Sequence, residues 1–139
     1  LYRHPDADSE TRIWSLQELV RCGGRSPEHI RAYVREFEHL QSDEVREIIK
    51  GSLDLDFTAG RRELKEAAAV AREFVAKGIT VPRARRVLGL HALLDMGRAQ
   101  EACDQFERAL QEDRQDSVAW AGTMMGALRL GTMTGPNRG

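Results

Sequence analysis

A chain of 139 residues with 41% apolar side chains is long enough to bury one core, and no run of it approaches the length of a membrane span. Aromatics are only 6%, with Ala and Leu leading the apolar set, which favours many small helix–helix contacts over a thick aromatic core. Net charge is −1, and a nucleic-acid binder would need a cationic surplus interleaved with aromatics, which is absent.

That balance conceals segregation. Residues 1–59 carry 8 basic and 12 acidic groups, residues 60–98 carry 9 and 4, and residues 99–139 carry 4 and 6. A basic middle between acidic ends either attracts an acidic partner, holds the chain's own ends, or is a set of solvated helix faces. Only Cys22 and Cys103 are present, far apart, which suits a reduced, cytoplasmic protein without disulfides. Leu1 in place of Met, with no secretory leader after it, suggests a piece of a longer protein.

Every long segment has helical periodicity. The first expected helix is SETRIWSLQELVRC, with Ile13, Leu16, Leu19 and Val20 on one face, Asp8 or Ser9 as its cap and Gly23 as its stop. Ser26 and Pro27 open the next, where Ile30, Tyr33, Val34, Phe37 and Leu40 form an apolar stripe. So short a connection makes the two antiparallel. A third begins at Ser42–Glu44, turns Val45, Ile48 and Ile49 inward and stops at Gly51. GSLDLDFTA then reads as a loop whose Leu53, Leu55 and Phe57 plug a gap between helices. From Gly60, Leu64, Ala67, Ala68, Ala71, Phe74 and Val75 share a face, and Gly78 ends that helix. Thr80 and Pro82 open a helix that stops at Gly97, another spans about 98–112, and the last runs from Ser117 to Gly131. Residues 132–139 are expected to form a frayed tail.

Gly97 and Gly131 stand 34 residues apart. Between them Ala102, Phe106 and Ala109 place small, aromatic and small residues at helical spacing, and Trp120 follows early in the next helix. Residues 83–131 thereby resemble the tetratricopeptide repeat, a helix–turn–helix unit of 34 residues. Small residues let antiparallel helices approach, an aromatic fills the space between successive pairs, and each pair leaves a face for the next to cover. The match has departures: Gly89 and Leu90 stand where that family has a large residue then a small one, and Arg114 replaces its usual proline. The expected architecture is all-α: one domain of about seven helices, in antiparallel hairpins stacked as a TPR-like α-solenoid. Residues 1–59 would form irregular hairpins and 60–131 the repeats.

Catalytic chemistry finds no foothold. Glu36 and His39 lie one turn apart, but zinc needs a second such pair. DLDFTAG lacks the third oxygen ligand and terminal Glu of a calcium loop. No Gly-rich phosphate cradle follows a strand. No catalytic, cofactor or metal residue is therefore assigned. The resemblance instead implies a non-catalytic scaffold binding a partner's peptide or helix in a groove. The groove positions fall on Val87, His91, Leu94 and Asp95, then on Ala121, Met125, Leu128 and Arg129. The alternative for Val87, Leu94 and Leu128 is packing within the stack. Arg83, Arg85 and Arg86 are candidates for contacts to an acidic partner.

Between Ser117 and Gly131 the sole charge is Arg129, while Val118, Trp120, Met124, Met125, Leu128 and Leu130 circle the helix. Leaving such side chains wet forgoes roughly 1.5–3 kcal/mol each, so this helix is expected to meet a further continuation of the chain, a second copy or a partner's helix. Alternative roles are an accessory domain of an enzyme such as a glycosyltransferase, or of a transcription regulator, and a self-assembly module. Neither nucleic acid nor membrane is expected as a partner.

Overall fold

The computed structural model describes residues 10, 11, 14, 15, 18, 26–40 and 43–134. Among them are six helices: α1 (Pro27–Leu40), α2 (Asp43–Ser52), α3 (Arg61–Ala76), α4 (Ala84–Leu94), α5 (Ala99–Glu112) and α6 (Ser117–Thr134). There is no strand among the described residues, so the chain is all-α there. The expected seventh helix, at the N-terminus, lies mostly outside the described residues; positions 10, 11, 14, 15 and 18 of it are helical.

Helices pack on their near neighbours in sequence. α1 contacts α2 and α3, α3 contacts α4, and α4, α5 and α6 all touch one another. Among the described residues no helix packs on one more than two places away.

Local chemistry explains most of the boundaries. The Ser26 Oγ accepts the His29 amide at 3.4 Å and lies 2.8 Å from His29 Nδ1, and Pro27 follows as the first helical residue. Ile30, Tyr33 and Val34 are buried, with Phe37 packed beside them. Asp43 and Glu44 lie in the first turn of α2 and Lys50 in its last, matching the helix dipole at both ends. Gly51 is not the expected stop. The helix continues through it to Ser52, whose Oγ donates to the Ile48 carbonyl at 3.0 Å. The chain leaves the helix only where Leu53 and Leu55 turn into the core, and both are buried there. Leu64, Ala67, Ala68, Ala71 and Phe74 of α3 are buried as their spacing requires.

Gly78 and Gly97 take left-handed φ values of +73° and +64°, closing α3 and the α4–α5 turn. Gly131 does not. It lies inside α6, which runs on to Thr134. The 34-residue interval therefore joins a turn glycine to a helical one. No tertiary contact breaks the helix there, since a Cβ at Gly131 would meet nothing within 4 Å.

Three further glycines act through their missing side chains. Phe106 of α5 is fully buried, and a Cβ at Gly89 of α4 would stand 2.7 Å from its ring. A Cβ at Gly122 of α6 would come closer still to the same ring, from the opposite helix. One at Gly126 would lie 2.5 Å from Cys103 Sγ. Gly89, a departure from the repeat pattern, thus has a physical cause: α4 and α6 each yield volume to one aromatic side chain. Ala102 and Ala109, above and below Phe106 on α5, are also buried.

Candidate functional site

The two groups of groove positions lie on helices that touch, α4 and α6. Arg129 of α6 donates to the Leu93 carbonyl of α4 at 2.7 Å, tying the C-terminal part of α6 to the end of α4. Around that tie, Leu94 is 40% exposed and Met125 sits at a similar level, with Ala121 half-buried beside it on α6. Val87 is fully buried and packs within the stack, out of reach of a partner. His91 is also buried: its Nε2 lies 3.2 Å from Asp95 Oδ2, and its Nδ1 lies 3.4 Å from Arg72 Nη2. Asp95 in turn accepts from Arg61 of α3. The Arg61 hydrogen bond, with the charges of Arg61 and His91 behind it, holds the Asp95 carboxyl below the usual carboxylate range. His91 and Asp95 thus join α4 to α3, and the accessible part of the surface is Leu94, Ala121, Met125, Leu128 and Arg129.

The outer face of α6 adjoins it. Trp120, Met124 and Leu128 follow one another at four-residue spacing and are 53%, 66% and 70% exposed. The Trp120 indole Nε1–H donates to the Arg114 carbonyl at 2.8 Å, which holds the ring in place at the surface. None of the positions on that face is charged, and the exposed Arg129 beside it reaches the Leu93 carbonyl. The opposite face of α6 carries Ala119, Gly122 and Gly126, all buried against α5.

The three arginines have different surroundings. Arg86 is buried, and its guanidinium grips Asp116 with both prongs, Nε to Oδ2 at 3.0 Å and Nη2 to Oδ1 at 2.6 Å. Its Nη1 also donates to Asp54 and, at 3.2 Å, to the Leu55 carbonyl. Asp116 meanwhile accepts the Ala119 amide at 3.1 Å, capping α6. Burial alone would raise the Asp116 carboxyl, but the Arg86 hydrogen bonds, the Ala119 amide and the charges of Arg86 and Arg83 together hold it low. Arg83 pairs with Asp116 at 2.9 Å and Asp113 at 3.3 Å, with Asp54 at 3.5 Å. It does so with a left-handed φ of +71°, uncommon for a residue with a Cβ. Arg86 is thus a strut inside the molecule, fastening the start of α4 to the α2–α3 loop and the start of α6. Arg85 is half-buried, its Nη1 donating to Gln105 at 3.1 Å.

Asp54 and Asp116, the partners of these arginines, were not recognisable as such in the sequence. They lie 32 and 30 residues from Arg86, and no local pattern links them. Elsewhere, Cys103 is buried facing α6, and burial followed by the charges of Glu107 and Asp104 pushes its thiol up. Asp56 accepts the Thr58 amide at 2.8 Å, so DLDFTAG closes a local turn. Glu36 is buried, whereas the His39 side chain and Cys22 lie outside the described residues. Among the described residues no group of three or more His, Cys, Asp or Glu side chains is placed to hold a metal ion, and no helix is long and apolar enough to cross a membrane. No family model, curated protein or solved structure matches this chain.

Proposed function

We propose that the chain is a TPR-like helical-repeat module that works as a non-catalytic scaffold, binding the apolar face of a partner protein's helix. The observation that carries this is the outer face of α6, where Trp120, Met124 and Leu128 stand in water on a helix whose one charged side chain, Arg129, is tied to the Leu93 carbonyl. A helix is the occupant that fits. α3, α4 and α5 each pack between helical neighbours, and α6 continues that stacking with a further apolar face. Ala127 lies exposed between the large side chains of that face, leaving the low ground into which a second helix's ridge can settle. Flexible methionines adapt to such a ridge. The accessible groove positions Leu94, Met125 and Leu128 extend the surface towards the end of α4.

The test uses Trp120 as reporter, with Trp14→Phe removing the other indole. Titration with a synthetic amphipathic helical peptide, Leu and Ala on one face and Glu and Lys on the other, is expected to shift Trp120 emission to the blue, saturably. Met125→Glu and Leu128→Glu should weaken that response while leaving the helical circular dichroism unchanged. Sedimentation at rising concentration identifies the case in which the partner helix comes from a second copy. A monomer at every concentration, with emission unmoved by millimolar peptide, rejects the proposal.

A further inference from the structure

A well-formed opening in the described part of the molecule lies away from the α6 face. It is a cleft of about 520 Å³ between α1 and α2 on one side and the starts of α4 and α6 and the end of α5 on the other. That volume is in the range of small-molecule sites, roughly 300–1,000 Å³. Its apolar lining is Phe37, Pro82 and Ala109, and the rest is charged apart from Thr80.

The charges divide into two sets. Arg83 and Arg86 on one wall are already neutralised by Asp54, Asp113 and Asp116. Arg46 and Lys50, four residues apart on one face of α2, and Arg85 across the cleft on α4 are different. Among the described residues no carboxylate forms an ion pair with any of these three. Arg46 lies over the Phe37 ring, 5.3 Å from its centroid, which positions the guanidinium without neutralising it. Lys50 is half-buried. Arg85 uses Nη1 on the neutral Gln105 and keeps its other donors. Against them stand the lining carboxylates Glu47 and Glu112. Desolvation pushes the Glu112 carboxyl up, with the Arg85 charge pulling it back, which favours its neutral form more than an open surface would. Cations and carboxylates around the cleft are equal in number, and what sets Arg46, Lys50 and Arg85 apart is that no carboxylate among the described residues is paired with them.

We propose that this cleft binds a small organic anion, its carboxylate or phosphate oxygens held by Arg46, Lys50 and Arg85 and its apolar body seated on Phe37 and Pro82. Arginines from two helices plus a lysine give donors from opposite walls, so an anion with two or more charged groups spans them. Arg83 and Arg86 are not ligand contacts here; they keep the wall rigid. The site is independent of the α6 face, and either assignment can fail alone.

Isothermal titration with citrate and, separately, with pyrophosphate tests it, alongside ¹⁵N–¹H shift mapping of the unaltered protein. Saturable binding of at least one probe is expected, with shifts gathered at residues 46–50, 80–86 and 109–113. Preference for one probe tells carboxylate from phosphate ligands. Arg46→Gln and Lys50→Met should each weaken binding about tenfold, the loss of one charge-assisted hydrogen bond. Arg108→Gln, an exposed charge outside the cleft, should not change it. Both cleft variants should remain folded with only a slightly lowered midpoint, since Arg46 gives up its contact with Phe37 and Lys50 its place at the helix end, but neither breaks an ion pair among the described residues. Absence of saturable binding by either probe, shifts scattered over the surface, or equal losses in Arg108→Gln and Arg46→Gln would overturn the proposal.

Discussion

The two faces of α6 are both apolar and differ in size. Ala119, Gly122 and Gly126 point inward, and Trp120, Met124 and Leu128 point out. In an ordinary surface helix the large apolar side chains face the core and polar ones face water. Here the core already has its bulk, because α5 sends Phe106 and Cys103 across to α6 and leaves room only for hydrogen or methyl. The contrast teaches that volume, and not polarity, orients this helix. The large side chains are outside because the inside is full.

The sharpest way to break that orientation is at its origin. Asp116 caps α6 through the Ala119 amide while gripping Arg86, so it fixes where the helix starts and which face turns in. Asp116→Ala leaves the Arg86 charge buried with only Asp54 and the Leu55 carbonyl. The expected loss is about 3–5 kcal/mol in denaturant unfolding, nearer the lower bound because those two contacts remain. The same residue sets an acid limit. Its folded carboxyl lies below the ordinary value of about 3.9, so its stabilisation is complete above that pH and drains as pH falls towards the folded value. Asp116→Asn should remove this part of the pH dependence. An unfolding midpoint that matches the unaltered protein at pH 7 would show that the grip on Arg86 is not what seats α6.

Next in size is the slot itself. Gly122→Val forces a branched side chain against the Phe106 ring and should cost about 1–3 kcal/mol. Phe106→Ala is destabilising alone, but in the same chain it should return part of the Gly122→Val loss, because the added methyls enter the vacated space. Strict additivity in that double-mutant cycle would mean that the two residues do not compete for one volume.

How much of this was legible in the sequence depended on distance along the chain. Ala102, Phe106 and Ala109 announce a buried stripe because three- and four-residue spacing is visible locally, and all three are buried. Leu53 and Leu55 were readable as gap-filling residues from their alternation in a loop bracketed by helix signals, and both are buried. Arg86 was not. As a letter beside Arg83 and Arg85 it resembles a solvated cation, and its burial depends on aspartates 30 and 32 residues away. Gly97 and Gly131 are the same letter in different states. α5 folds back at Gly97 and demands a positive φ, while the helix passes straight through Gly131. Nor could periodicity orient α6: apolar residues surround it, and only the position of Phe106 separates its faces. The cleft between α2 and α4 assembles residues 46–50 with 80–86 and 109–116, a grouping that no spacing rule contains.

The smallest expected change in stability belongs to the outer face, and it separates the two faces most cleanly. Leu128 is 70% exposed, so Leu128→Gln removes little from the interior and should shift unfolding by no more than about 0.5 kcal/mol. A buried leucine would instead lose roughly 1.5–3 kcal/mol on the same change. The partner peptide should feel the substitution in the opposite proportion, because binding is where that side chain leaves water. The informative quantity is therefore the ratio of the two effects, measured by denaturant unfolding and by Trp120 emission on one variant. A large loss of stability with unchanged peptide response would place Leu128 in the core and erase the distinction between the faces. Small loss with weakened response would mean that α6 keeps its bulk outside for something other than its own fold.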